Sequence, residues 1–171
     1  MNLSKDPLVG QDQRAAWCEE LQRTWYQNIP LSEKAGIRVE RYTGEELVVL
    51  LPGQGNQNPH QTLFAGSLFI LASLAGWGLV WLLMKEQGHT GTIVLGDAHI
   101  RYGQPLVGQA IAVASRAACR GRLQRLASGS KASVHLQIAL TDRDRHQSKT
   151  LFEGAYVVIP AAKPTDGQLE P

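Results

Sequence analysis

From Leu47 to Met84 the sequence contains no Asp, Glu, Lys or Arg, although the whole chain of 171 residues carries 17 basic and 15 acidic side chains. Charged side chains are almost never buried unless paired, so a gap this long marks a segment destined for largely apolar surroundings. Its second half, residues 63–84, reads LFAGSLFILASLAGWGLVWLLM, 22 residues that would run about 33 Å as a helix and are long enough to cross a bilayer. Against a membrane span stand Gly66, Ser67, Ser73, Gly76 and Gly78 inside the run, the lack of a flanking Lys/Arg cluster, and strand-like segments on both sides that need a shared core. The better reading is a helix buried at the centre of a domain. A sheet wraps it, a partner covers the remainder, and small residues at 66, 73 and 76 let neighbouring backbones come close.

The rest of the chain supports a globular reading. With 43% hydrophobic and 19% charged residues it is too apolar for disorder and too polar for a polytopic membrane protein. The length suits one domain. A net charge of +2 leaves no chain-wide field for gripping nucleic acid. Cys18 and Cys119 are far apart and lie in no C-x-x-C or Cys/His cluster, so reduced, packed thiols are expected, with neither a disulfide framework nor a metal site. Lys5 and Asp6 interrupt the N-terminus before any long apolar core, so no secretory signal is expected and a cytoplasmic location is. Residues 1–11 read as a lead, 12–160 as one domain, and 161–171 (AAKPTDGQLEP) as a loose tail.

Periodicity supplies the elements. Trp17, Leu21 and Trp25 recur at i, i+4 and i+8, predicting an amphipathic helix over 12–28. Residues 36–42 and 47–52 read as a hairpin turning at Thr43, Gly44 and Glu45, and 53–62 (GQGNQNPHQT) as a loop. After the central helix, strands are expected at 92–102, 109–119, 131–141 and 150–159. The third alternates, with Ala132, Val134, Leu136, Ile138 and Leu140 on one face and Ser133, His135, Gln137 and Thr141 on the other. Turns are read at Gly103-Gln104-Pro105 and Asp142-Arg143-Asp144-Arg145. The outcome is an α+β domain in which an antiparallel sheet curls around one helix.

That element order, with the motifs Asn56-Gln57-Asn58, Thr62, Phe64-Ala65-Gly66-Ser67, Leu74-Ala75-Gly76-Trp77-Gly78 and Asp97-Ala98-His99-Ile100-Arg101-Tyr102, resembles the hot-dog fold over residues 12–160. Within that fold it is similar to a bacterial group of thioesterase-like proteins that includes the malonyl-ACP decarboxylases and the hot-dog half of an acetyltransferase-fused relative. The resemblance implies a homodimer acting on a thioester of acyl carrier protein (ACP) or coenzyme A, with no cofactor beyond the phosphopantetheine carried by the substrate. Three activities follow as expectations: malonyl-ACP decarboxylation to acetyl-ACP for initiating fatty-acid synthesis, acyl-thioester hydrolysis, or non-catalytic acyl-ACP binding. The resemblance places Asn58 at the key asparagine of the group and Thr62 at a neighbouring polar position. In hydrolytic relatives of the phenylacetyl-CoA type, the helix opens with His-Gly-Gly and carries an acid about two turns on. Here those positions are Phe64-Ala65-Gly66 and Ser73, so the hydrolytic carboxylate is absent from that place.

Decarboxylation of a malonyl thioester needs stabilisation of an enolate oxygen rather than a nucleophile, and preorganised N–H donors supply it. The backbone around Ala65, Gly66 and Ser67, at the positive end of the expected helix, is the candidate donor set, with the Asn58 amide beside it. Each residue also has a plainer reading. Asn58 before a proline is a common turn residue, His60 reads as a solvent-facing loop histidine as well as a site residue, Ser67 as a packing and hydrogen-bonding group at the helix start, and Ser73 as lining the pocket or not. Asp97, His99 and Arg101 share a strand face as a polar network or an intersubunit contact. Between Arg116 and Lys131 lie Arg116, Arg120, Arg122, Arg125 and Lys131 with no acid. This run is either a docking face for an acidic carrier and its phosphate, with Arg120, Arg122, Arg125 and Lys131 as contacts, or a solvated loop. It carries no interleaved aromatics of the kind that stack single-stranded nucleic acid.

Overall fold

The computed structural model describes residues 10–143 and 150–161. Residues 1–9 of the expected lead, the Asp144-Arg145 half of the last turn, and 162–171 of the expected tail lie outside the described residues. Helix α1 (Gln11–Asn28) and a single turn α2 (Pro30–Lys34) precede the hairpin β1 (Arg38–Tyr42) and β2 (Glu46–Leu51). Helix α3 (Ala65–Glu86) follows, then β3 (Gly91–Arg101), β4 (Ala110–Gly121), a 3-10 helix (Leu123–Ser128), β5 (Ala132–Asp142) and β6 (Thr150–Pro160).

The six strands form one sheet in the order β1-β2-β4-β5-β6-β3, antiparallel throughout. This is the expected hot-dog arrangement. The alternation in β5 sorts as its sequence requires: Ala132, Val134, Leu136, Ile138 and Leu140 are buried, and Ser133, His135, Gln137 and Ala139 between them are exposed. On β4 the buried positions are Ala110, Ala112 and Ala114, whose short side chains leave room for the helix above. The uncharged segment becomes α3, lying against β2, β4, β5, β6 and β3. The helix is long and apolar enough to cross a membrane, yet 67% of its apolar window is buried inside the protein. Two glycines permit the close approach. A methyl group at Gly76 would stand 2.2 Å from the hydroxyl of Tyr156, and one at Gly78 would stand 2.8 Å from the Trp25 ring. The sheet thus closes on one side of α3 and α1 on another.

Helix α1 also covers the outer edge of β1. The Gln22 side chain behaves as a strand would: its Oε1 accepts from Val39 N–H at 2.7 Å and its Nε2 donates to the Ile37 carbonyl at 3.2 Å. The Tyr26 hydroxyl adds a bond to the same carbonyl at 2.9 Å. Leu21 and Trp25 are fully buried beneath this contact, and Trp17 packs at its margin, as their spacing predicts. At the other end of the sheet, β3 is a long edge with Thr92, Val94, Gly96, Asp97, His99 and Arg101 exposed. Cys18 and Cys119 are free and half-buried, and burial pushes both thiols up from their ordinary range, as suits packed thiols.

Candidate functional site

The loop before α3 is built by its own polar side chains. Asn58 N–H donates to the Thr62 carbonyl at 2.8 Å and Gln61 N–H to the Asn58 carbonyl at 3.0 Å. The Asn58 side-chain oxygen accepts from His60 N–H at 2.9 Å and Thr62 N–H at 3.2 Å, while its Nδ2 donates to Thr62 Oγ1 at 2.8 Å. The turn closes so tightly that Gln61 takes a left-handed conformation (φ 60°), unusual for a side chain with a Cβ. Asn58 and Thr62, expected to act side by side, are bonded directly. The turn role of Asn58 is therefore realised, and only one of its two amide protons remains for a ligand. Thr62 accepts from Asn58 and keeps its hydroxyl proton to donate.

A deeper residue fixes this loop to the body. Asn56 is buried, its Nδ2 donating to the Ala35 carbonyl at 2.8 Å and the Pro52 carbonyl at 3.0 Å, and its own carbonyl accepts from Phe64 N–H at 2.8 Å. Leu63 N–H reaches the Leu106 carbonyl at 2.8 Å. The start of α3 is thus set by four backbone and amide contacts outside the helix. Sequence reasoning placed Asn56 inside the family motif but not among the site residues. Its signal, a polar residue flanked by turn formers before an apolar run, does not tell a buried anchor from an exposed turn.

Helix α3 begins with Phe64 as N-cap and no side-chain cap. Its first intrahelical bond is Leu68 N–H to the Phe64 carbonyl at 3.1 Å. The N–H groups of Ala65, Gly66 and Ser67 precede it and have no partner among the described residues. Ser67 lies within the first turn and is not the cap, since the residue before the helix is an extended phenylalanine. Ala65 is exposed, and Gly66 and Ser67 are half-buried. Phe64, 54% exposed, folds its ring against Gly66, where a methyl group would meet the ring at 2.4 Å. Tyr102, 45% exposed, donates from its hydroxyl to the Ala65 carbonyl at 2.9 Å. Neither aromatic was among the expected site residues, because their role depends on β3 ending beside the start of α3.

From these amides a half-buried face runs down α3 through Phe69, Ile70, Ser73, Trp77 and Trp81. The Ser73 hydroxyl bonds the Phe69 carbonyl of its own helix at 2.7 Å, and the Ser73 carbonyl accepts from Tyr156 Oη at 2.9 Å. Burial, opposed by a bond from the Trp77 backbone, holds the Tyr156 hydroxyl far above its ordinary range, so it is a neutral donor. His60 is exposed.

The basic run divides. Arg116 is bound to Glu86 and donates to the Tyr42 hydroxyl at 3.3 Å, so it belongs to a structural cluster and not to a docking face. Arg120, Arg122, Arg125 and Lys131 are exposed and make no ion pair among the described residues. They stand at the opposite end of α3 from Ala65, where the 3-10 helix borders a cleft with Gly88, His89, Thr90 and Pro160. Asp97, His99 and Arg101 alternate with Ala98 and Ile100 along the β3 edge, with His99 opposite Glu153 of β6.

The site therefore offers three free backbone donors at the positive end of a largely buried helix, an Asn-Thr pair in the adjoining loop, and an aromatic mouth. Among the described residues no group of three or more His, Cys, Asp or Glu could hold a metal ion.

Residues 18–160 match the family model described as "Putative thioesterase (yiiD_Cterm)". A putative thioesterase from Shewanella oneidensis is 36% identical, with 85% of this chain and 99% of that chain covered and a TM-score of 0.80. A protein of unknown function from Chlorobaculum tepidum shares the fold at 24% identity and a TM-score of 0.75, covering 88% of this chain and 97% of its own. So does the PaaI protein of the phenylacetic acid degradation operon of E. coli, at 18% identity and a TM-score of 0.60, covering 87% and 98%.

Proposed function

The chain belongs to the hot-dog thioesterase family described by that model, and from this premise we propose that it binds acyl thioesters of phosphopantetheine at the start of α3 and decarboxylates a malonyl thioester. The observation that carries the reading is the set of unengaged N–H groups at Ala65, Gly66 and Ser67 in a segment with no carboxylate from Leu47 to Met84. In the reaction the bond between the carboxylate carbon and the methylene breaks, carbon dioxide leaves, and the electron pair enters the thioester enolate. The enolate oxygen sits on the amides, which are already oriented and lie at the positive end of the helix dipole. A proton from solvent at the methylene carbon then gives the acetyl thioester. Asn58 and Thr62 orient the carbonyl with the amide proton and hydroxyl proton that their mutual bond leaves free.

Hydrolysis is the second reading, favoured by the family description and by the exposed His60 imidazole in the same loop, the nearest group in sequence able to take a proton from water. Decarboxylation is preferred because no Asp or Glu lies between Leu47 and Met84, and Glu86, Glu20 and Glu40 are held by Arg116, Lys85 and Arg143. The proposal includes a cytoplasmic setting, no cofactor beyond the substrate's own arm, and a homodimer paired along β3. Support for the dimer is the eleven-residue edge strand β3, which pairs with β6 on one side only and lies against the half-buried Trp77, whose Nε1 donates to the Ile93 carbonyl at 3.2 Å, since such an edge normally finds a covering strand.

Incubation of the purified protein with malonyl-ACP and with malonyl-CoA tests the reading. Acetyl thioester and carbon dioxide are the expected products. Free thiol and malonate as first products would replace decarboxylation with hydrolysis, and tight binding without either product would leave a carrier-binding module.

A further inference from the structure

We infer that the Tyr102 hydroxyl is a positioning group for catalysis, which by holding the Ala65 carbonyl orients and strengthens the Gly66 N–H as a donor to the enolate oxygen. The inference rests on the thioester reading above and assigns Tyr102 no contact with the substrate. Its basis is one peptide unit. The Ala65 carbonyl and the Gly66 N–H belong to the same planar amide, so a group that fixes one fixes the other. Tyr102 Oη donates to that carbonyl at 2.9 Å. A carbonyl oxygen has two lone pairs, and the helix supplies a donor for one of them, the N–H four residues on at Phe69. Tyr102 supplies the other. Hydrogen bonds in a chain polarise one another, so a donor on the oxygen of an amide makes its N–H a stronger donor in turn. Among the described residues, Gly66 has the one free N–H of the three whose peptide is held in this way. The Phe64 carbonyl, in the peptide of the Ala65 N–H, accepts from Leu68 within the helix, and the Gly66 carbonyl, in the peptide of the Ser67 N–H, meets no donor from outside it.

The tyrosine is itself held on both sides. Arg101, before it, pairs with Leu151 in the ladder between β3 and β6, and Gly103 N–H, after it, donates to Oγ1 of the buried Thr150 at 3.0 Å. Four residues on, the Leu106 carbonyl accepts from Leu63 N–H at 2.8 Å. The chain leaving β3 is thus stitched to the chain entering α3 at two points, one of them the Tyr102 hydroxyl. Helix ends fray, and this one has no side-chain cap to resist it. A bond from a strand end takes the place of the cap without occupying any of the free N–H groups, since it falls on the carbonyl side of the peptide. The Phe64 ring packs against the same unit, where a methyl group on Gly66 would stand 2.4 Å from a ring carbon. Partial burial raises the Tyr102 phenol above its ordinary range, so it keeps its proton and stays a donor through neutral and mildly alkaline pH.

The variant Tyr102→Phe removes one oxygen and keeps the ring. With malonyl-CoA and malonyl-ACP its kcat per folded molecule should fall about tenfold, less than the roughly hundredfold or more that follows loss of a whole oxyanion donor, while KM stays within about twofold. A hydroxyl that only ties two segments together would lower the melting temperature and leave kcat alone, and one that touches the substrate would raise KM. Either result overturns the inference. A second measurement needs no turnover. In the ligand-free protein the amide nitrogen and proton resonances of Gly66 should move upfield in Tyr102→Phe, and by more than those of Ala65 and Ser67, as the polarising bond is lost. Shifts that are absent, or equal at the three amides, overturn the inference. Replacement of Tyr102 by a difluorinated tyrosine, a stronger donor that ionises nearer neutrality, should raise kcat below that ionisation and lower it above, and a flat profile overturns the inference as well. If the wild type forms no acetyl thioester, the reaction assigned above fails and the positioning role falls with it. Wild-type turnover with kcat unmoved in Tyr102→Phe leaves the reaction standing and overturns this inference alone.

Discussion

The two ends of α3 are built on opposite principles. At its C-terminal end Lys85 bonds Glu20 at 2.6 Å and lies 4.7 Å from the centre of the Trp81 ring, and Glu86 is held by Arg116 and by the Tyr42 hydroxyl at 2.7 Å. The last carbonyls are engaged as well, with Gln87 N–H on Leu83 and His89 N–H on Met84. At its N-terminal end no side chain caps the helix, and the amides of Ala65, Gly66 and Ser67 are without partners among the described residues. The helix is anchored where its dipole end is closed and receptive where it is open. Donors already bonded to the protein cannot meet a ligand, so a helix serving as a binding element needs its stability from elsewhere. Here it comes from the sheet, from α1 and from the ion pairs of the far end.

This contrast is sharpened first at the open end. Asn58→Ala should lower turnover about a hundredfold, the scale on which a missing oxyanion donor acts. It should cost only about 1 kcal/mol of stability, for the lost turn bonds to His60, Thr62 N–H and Thr62 Oγ1. Near-normal turnover would remove Asn58 from the mechanism, and a large stability loss would make it purely structural.

The closed end should show the reverse. Glu86→Gln leaves Arg116 without its carboxylate, and because the Arg116 side chain is 36% exposed against 15% for Glu86, the cost is set below that of a fully buried pair, at about 2 kcal/mol. Thermal denaturation should record it while kcat per folded molecule stays unchanged. A fall in kcat would show that the two ends are coupled.

Alkaline pH should also act through the closed end. Burial first, and the bond to Glu86 second, raise the Tyr42 hydroxyl well above its ordinary range, and burial does the same at Tyr156. A phenol whose folded pKa is raised contributes stability that is complete below the unfolded value, about 10, and is lost as pH rises toward the folded value. The melting temperature should therefore decline above about pH 10, and the decline should be shallower in Tyr42→Phe. Identical slopes in the two proteins would acquit Tyr42.

The smallest effect is expected in the loop. Gln61→Gly relieves the left-handed conformation at a cost in unfolded-chain entropy, for a net gain of about 0.5 kcal/mol. Urea denaturation reads it, and a loss would show that the Gln61 side chain holds the turn.

Much of this architecture is legible in the residues themselves. The helix over 11–28, the alternation of β5, and the burial of an uncharged run all follow from side-chain period and from the cost of burying charge. The Asn58 turn is legible too, since asparagine before proline closes turns. Short elements escape: α2 and the 3-10 helix over Leu123–Ser128 are too brief for a periodic signal to rise above their surroundings. The candidate site is half legible. Its amides and its Asn-Thr pair lie within ten residues of one another, whereas the Tyr102 contact spans 37 residues and the Asn56 anchor 21.

By itself the sequence determined that this chain would bury one long uncharged helix beneath an antiparallel sheet, because both decisions rest on local period and local desolvation. Only the tertiary structure decided what each charge does. Arg116 meets a glutamate 30 residues away, and Arg122 and Arg125, read as contacts for an acidic carrier, stand by the 3-10 helix at the far end of α3 from the free amides. Those outcomes depend on strand order and register, which no short window of residues contains.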